Sequence, residues 1–372
     1  MSSDHLENPA AIPEEVLARV EARGISRRDF IRFCTMTTAA LALPVAMVGK
    51  VAAAVADARI PVIWVEYQSC SGDSEAFLRA NQPTAGEIIL DLVSLEYAEV
   101  VMAAAGHQAE AAKHQAMEKY RGKYILIVEG SVPTGADGAY CTIGGRSALE
   151  DCRTMVRNAF ATICVGSCSS FGGIPAAAPN PTSAISVMEV FPGAPIINLP
   201  GCPVNAENLT ATIVHVLTFG KLPATDSLGR PKFAYGKRIH DNCERRGHFD
   251  AGQYAQAFGD PGHRQGHCLY QLGCKGPETF HNCPTVRYNE GVSWPVMAGH
   301  GCIGCSEPGF WDTMSPFYRR LPKVPGFGIE ETADKIGIGL AAATAVAFGL
   351  HGVASCFRKH DAMEEDKVVK EK

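Results

Sequence analysis

The sequence predicts an α/β fold: a doubly wound parallel sheet, then an irregular cysteine-rich segment, then a C-terminal helix long enough to cross a membrane. Three observations carry this reading. Short apolar runs alternate with helix-length segments from residue 60 to about 232; regular patterning stops after Pro231, where Gly, His, Pro and Cys accumulate; and an uncharged apolar run fills residues 336–355. At 372 residues, 46% hydrophobic and 20% charged, the chain is globular, with room for about two domains plus extensions. A net charge of −5 gives no case for nucleic acid as a partner.

Residues 1–24 are polar. Ser26-Arg27-Arg28-Asp29-Phe30-Ile31 then sets an arginine pair before a small-residue apolar run from about 34 to 48, and Ala52-Ala53-Ala54 or Ala56-Asp57-Ala58 offers a cleavage site of the A-x-A type. An arginine pair alone would suit an ordinary amphipathic helix. Charged region, apolar region and small residues in that order predict a twin-arginine signal over residues 1–58, set apart from the fold.

Strands are predicted at 61–67, 123–129, 161–165 and 194–199, with helices at 74–80, 87–105, 110–119, 148–159 and 205–220 between and after them. Strands separated by helix-length segments imply βαβ units and a flavodoxin-like, doubly wound sheet for residues 59–232. No Gly-x-Gly-x-x-Gly or Walker pattern follows the first strand, so a nucleotide is not expected at the sheet's switch point. Cysteines stand there instead. Cys70, Cys168 and Cys202 each follow an apolar run, which places three widely separated thiols at the carboxyl edge of one sheet. A structural cysteine normally sits inside a strand as a small apolar residue, and Cys164 suits that role.

The chain carries 14 cysteines. Disulfides would need an oxidising compartment, but a domain of this length builds a sufficient core without them, and soft thiolates otherwise suit zinc or iron–sulfur clusters. Residues 233–330 lack periodicity and hold two ligand-type groups: His240-x2-Cys243 with Cys268-x5-Cys274, and Cys283 with Cys302-x2-Cys305. An isolated C-x-x-C fits zinc or a redox dithiol, and a lone histidine fits a core or surface position. Four ligands in the first group would hold a four-iron cluster. The three cysteines of the second are too few for a closed zinc site and suit a three-iron cluster.

Taken in order, Cys-x2-Asp73, Gly-Ser-Cys168, Pro-Gly-Cys202-Pro, His240-x2-Cys243, Leu-Gly-Cys274-Lys-Gly-Pro-Glu278, Asn-Cys283 and Gly-Cys302-x2-Cys305 closely resemble the small subunit of membrane-bound nickel–iron uptake hydrogenases. The resemblance spans nearly the whole chain. It implies an electron-transfer subunit with two [4Fe-4S] clusters and one [3Fe-4S] cluster, beside a large subunit that holds the nickel–iron site. Cys70, Asp73, Cys168 and Cys202 would serve the proximal cluster; Cys283, Cys302 and Cys305 the medial three-iron cluster; His240, Cys243, Cys268 and Cys274 the distal one. Pro295 stands where a fourth cysteine would complete the medial set. The assembly implied is a heterodimer or a dimer of heterodimers that passes electrons from H2 to a membrane cytochrome b and quinone. Two departures stand out. Asp73 replaces the usual second cysteine of the first motif, similar to actinobacterial-type hydrogenases, and Gly72 and Gly173 fall where oxygen-tolerant members carry extra cysteines. A free-standing exported ferredoxin-like carrier, or a disulfide- or zinc-bearing structural protein, would share the cysteine content without a large subunit.

About 20 uncharged residues at 336–355 reach across a bilayer core. Its Gly and Ala content would also suit a core helix. The Pro-rich approach over 316–325 and the charged residues after Arg358 leave it no core to join, so residues 331–372 are predicted as a transmembrane anchor and tail. Arg358 and Lys359 put the C-terminus in the cytoplasm and the body on the periplasmic face. Gly337, Gly339, Ala341 and Ala343 suit packing on another membrane helix. Cys141, Cys152, Cys164 and Cys356 are expected to be packing residues.

Overall fold

The computed structural model of the chain describes residues 12–22, 24–57, 59–80, 84–89, 93–289, 291–320 and 337–355. The chain divides into two units, Met1–Arg320 and Leu321–Lys372.

Five parallel strands form the centre of the first unit: β1 (Ile60–Glu66), β2 (Val93–Ala98), β3 (Ile125–Glu129), β4 (Ala161–Val165) and β5 (Ile196–Leu199). They lie in the order β2-β1-β3-β4-β5, the flavodoxin-like order, whose switch point falls between β1 and β3. Trp64, Ile127, Ile163 and Ile197 sit side by side in register across β1, β3, β4 and β5. Side chains alternate faces along a strand, so these residues line one core while Ile63, Leu126, Cys164 and Ile196 line the other. With apolar residues on both faces and helices covering each, the sheet is doubly wound.

The second core is closed by α5 (Gly106–Lys119) and α6 (Ala148–Asn158), and Cys152 and Cys164 are buried in it with Cys141 packed at its edge. The first is closed by α8 (Ala206–Phe219), which Asn205 caps by accepting from the amides of Glu207 and Asn208 and which Gly220 ends in the left-handed conformation. On the same core lie α1 (Glu14–Glu21), α2 (Arg27–Ala40) and α3 (Val48–Asp57), the region that the signal reading sets apart from the fold. Val20, Phe30, Phe33, Val51 and Val55 are buried there, so each helix turns one apolar stripe inward. Arg27 pairs with Glu14 at 2.6 Å, and both candidate cleavage motifs fall in or against the packed α3, with Ala52 and Ala56 buried. Ala58 lies outside the described residues.

One secondary-structure expectation is corrected. The helix predicted over 87–105 is replaced in its middle by β2, an edge strand paired with β1. Leu, Glu and Ala favour a helix, but buried Val93 and Tyr97 with part-buried Leu95 at alternate positions fit a strand, and tertiary pairing overrides propensity.

After residue 232 no described helix of the first unit exceeds five residues. A small core of Ile239, Ala255, Leu269, Leu272, Trp294 and Val296 includes Cys283 and Cys302 among its members. Buried Arg230 ties this segment to the loop after α8, donating to Asp226 at 2.8 Å, Glu307 at 3.0 Å and the Ser306 carbonyl at 3.1 Å.

In the second unit α9 (Gly337–Ser355) is a 19-residue apolar helix with none of its length buried. Such a helix is long enough to span a bilayer core. The tail residues Cys356, Arg358 and Lys359, and the approach over 321–336, lie outside the described residues.

Candidate metal centre: a row of three cysteine groups

The loop after β1 is shaped by two acidic residues that end neighbouring strands. Glu66 and Glu129 are paired in register at the carboxyl ends of β1 and β3. Glu129, wholly buried, accepts from the Ser69 hydroxyl at 2.7 Å and from the Asp73 and Ser74 amides at 3.1 and 2.9 Å, while Glu66 accepts from the Ser71 hydroxyl at 2.7 Å. The loop turns through Ser71 in the left-handed conformation into α4 (Gly72–Leu78), leaving Cys70 exposed. Cys168 sits on the short helix α7 (Gly166–Phe171) directly after β4, and Cys202 directly after β5. The three thiols predicted at one sheet edge are therefore placed there by three strand ends.

Asp73 belongs to the same group. Its Oδ1 accepts from the Val204 amide at 2.6 Å, and a Cβ on Gly166, whose φ is +78°, would lie 2.0 Å from its Oδ2, so only glycine admits the carboxyl. It does not cap α4, which starts at Gly72 with Ser71 in the cap position. Burial, with Glu129 beside it, raises the Asp73 carboxyl to about 7. Burial likewise pushes Cys168 to about 11 and Cys202 to about 12, with Asp73 and Cys70 adding to both. Gly72 and Gly173 abut this group: a Cβ on Gly72 would lie 3.1 Å from Cys70 Sγ, and one on Gly173 2.6 Å from Cys168 Sγ.

Cys283, Cys302 and Cys305 line a cavity of about 520 Å³, and Pro295 and Cys202 line it too. The Gly304 amide donates to Cys302 Sγ at 3.4 Å, and Thr279 Oγ1 lies 3.6 Å from the same sulfur. Burial raises all three thiols, and Cys305 contributes to the shift of Cys202 across the cavity. Ser167, on α7 beside Cys168, donates its hydroxyl to the Cys305 carbonyl.

His240, Cys243, Cys268 and Cys274 share the lining of a third, small pocket with Leu269 and Val296. Burial, then the charge of Arg246, lowers His240 to about 4, which leaves a neutral imidazole, the metal-ligating form. Burial raises Cys243 to about 11 and Cys268 to about 12. The Arg245 amide donates to Cys243 Sγ at 3.4 Å, and the Cys302 amide to Cys274 Sγ at 3.3 Å. That last bond joins the second group to the third.

Among the described residues no three such side chains close on a single ion. A cluster holds its ligands apart around a metal–sulfide core, so spaced soft donors fit one better than they fit zinc. The thiols that burial raises, Cys168, Cys243, Cys268 and Cys283 among them, stay protonated until a cation offsets their charge.

Comparison with known proteins agrees. Two family models match: NADH ubiquinone oxidoreductase, 20 kDa subunit, over residues 70–216, and the C-terminal region of the NiFe/NiFeSe hydrogenase small subunit over residues 235–318. The uptake hydrogenase small subunit of Azotobacter vinelandii is 48% identical over 91% of this chain and 94% of its own length, and the quinone-reactive Ni/Fe-hydrogenase small chain of Wolinella succinogenes is 50% identical over 91% and 98%. The chain belongs to the nickel–iron hydrogenase small-subunit family. Among solved structures, the Ni-Fe-Se hydrogenase of Desulfomicrobium baculatum superposes with a TM-score of 0.67 at 37% identity, over 71% of this chain and 100% of that one. An actinobacterial-type NiFe-hydrogenase from Ralstonia eutropha gives 0.65 at 26%, over 76% and 91%. As a hydrogenase small subunit, the protein is one part of an oxidoreductase with a large-subunit partner; members of the family carry iron–sulfur clusters.

In the small subunit's structure Cys283, Cys302, Cys305 and Pro295 line one cavity and His240, Cys243, Cys268 and Cys274 another, while Cys70, Asp73, Cys168 and Cys202 lie at one sheet edge. Sequence reasoning passed over Glu66 and Glu129, although an acidic residue ending a buried apolar run is the same kind of signal that marks the cysteines. It also passed over Thr279 and His281, which face the sulfurs of Cys302 and Cys283.

Proposed function

We propose that this small subunit relays electrons from H2 oxidation in the large subunit to a membrane cytochrome b and quinone. Cys70, Asp73, Cys168 and Cys202 would hold a proximal [4Fe-4S] cluster, Cys283, Cys302 and Cys305 a medial [3Fe-4S] cluster, and His240, Cys243, Cys268 and Cys274 a distal [4Fe-4S] cluster. Such clusters supply one-electron carriers whose potentials follow from ligands, hydrogen bonds and burial. The chain itself breaks no substrate bond. The observation that carries this reading is the continuity of the row: Cys202 and Cys305 line one cavity, and the Cys302 amide bonds Cys274 Sγ.

Pro295, which stands where the family pattern would have a fourth cysteine, lines the same cavity, and this supports three irons there. Ligation by Asp73 is supported by its carboxyl, which accepts from the Val204 amide instead of capping α4 and adds to the raised values of Cys168 and Cys202. Residues 59–232 would then form the proximal domain and 233–330 the medial and distal one. Residues 1–58 are read as a twin-arginine leader and 331–372 as anchor and tail, which puts the body on the periplasmic face with a cytoplasmic C-terminus. The apolar α9 supports the anchor, and the quinone reactivity named for the Wolinella relative supports the acceptor.

Purification from solubilised membranes tests the reading. A nickel-containing large subunit should accompany the chain, and the pair should reduce artificial dyes with H2. Recovery of an iron-bearing chain alone would point to a free-standing carrier.

A further inference from the structure

His281 faces the medial group but is not among its proposed ligands. Its Nδ1 lies 3.0 Å from Cys283 Sγ. The ring is 2% exposed and stands edge-on to Tyr235, with centroids 4.8 Å apart, and the Tyr235 hydroxyl is itself fixed on the Pro200 carbonyl at 2.8 Å. Nε2 is buried without a hydrogen-bond partner. A metal-bound thiolate can only accept a hydrogen bond, so beside it a proton on Nε2 would set two lone pairs against each other and leave a buried donor unsatisfied. With Cys283 bound to metal the proton belongs on Nδ1, aimed at Sγ.

We propose that His281 is a positioning residue of the medial site, whose Nδ1–H donates to the Cys283 thiolate and raises the reduction potential of the group held by Cys283, Cys302 and Cys305. The inference rests on the medial-site reading above. A donor to a ligating thiolate stabilises the more negative, reduced state over the oxidised one. The bonds to the Cys243 and Cys274 sulfurs come instead from backbone amides, fixed by the path of the chain.

The test uses the purified heterodimer carrying ¹⁵N-histidine, with redox titration and pulsed electron paramagnetic resonance of the three-iron signal. Wild type should show coupling to an imidazole nitrogen that disappears in His281→Asn and His281→Leu. The leucine variant should shift the reduced-to-oxidised ratio about tenfold towards oxidised, a midpoint about 59 mV lower for one electron, at unchanged iron content. Asparagine, which can place an amide N–H near the Nδ1 position, should recover most of that shift. Equal midpoints in all three proteins, or a wild-type signal without imidazole coupling, would overturn the proposal. Should the leucine variant fail to assemble, the wild-type coupling decides alone. A wild type with no three-iron signal overturns the medial-site reading and the proposal with it.

Discussion

The proximal edge and the cysteine-rich segment hold the same kind of donors by opposite means. At the edge, Cys70, Cys168 and Cys202 hang from strand ends whose backbone pairing and two apolar cores are built from residues outside the ligand set. After residue 232 the regular elements are short, and the local core counts Cys283 and Cys302 among its own residues. A site built on a sheet can wait for its cofactor, whereas a segment cored by its ligands takes much of its order from what they bind.

Iron removal gives the largest expected contrast. Chelated protein should lose amide-exchange protection over residues 235–318 while β1, β3 and β4 keep theirs. Equal loss in both regions would mean that the sheet depends on its cluster as much as the loops do.

Cutting the chain from residue 336 should leave both regions intact and separate only the membrane function. The truncated complex should be soluble and reduce dyes with H2 but not quinone. If it stays with the membrane after the partner cytochrome is deleted, α9 is not the anchor.

Asp73 sharpens the sheet side. Asp73→Asn can still accept from the Val204 amide but is a poor iron ligand, so ligation predicts an altered proximal-cluster spectrum in Asn and Ala alike. Asp73→Cys should keep a four-iron cluster at a shifted potential. Unchanged spectra in Asn would reduce Asp73 to a structural role.

The smallest effect concerns Glu99, which burial and then the neighbouring Glu66 raise from 4.5 to about 7. The folded state binds the proton more tightly than the unfolded, so this contribution is present below about 4.5 and lost as pH rises to about 7. Relative to Glu99→Gln, wild type should lose melting temperature across that window, on the order of a few degrees. A constant difference between the two proteins would contradict the sign.

How much was legible followed the range of the interactions. Apolar runs ending on Cys70, Cys168 and Cys202 are local patterns, and the structure kept their strands. β2 was misread because an edge strand is decided by its partner. The packing of α1, α2 and α3 was hidden because a small-residue apolar run suits a leader and a sheet-covering helix equally. The ligand groups were legible as types and spacings. Their succession came only through the family resemblance, since the link from Cys302 to Cys274 and the shared cavity of Cys202 and Cys305 join residues far apart in the chain.

The central claim is a row of three clusters held by four, three and four ligands. Iron analysis with electron paramagnetic resonance on the purified complex tests it most directly. About eleven iron atoms in this subunit, with one three-iron signal in the oxidised state, are expected from two four-iron clusters and one three-iron cluster. A count near eight, or no three-iron signal, would contradict it.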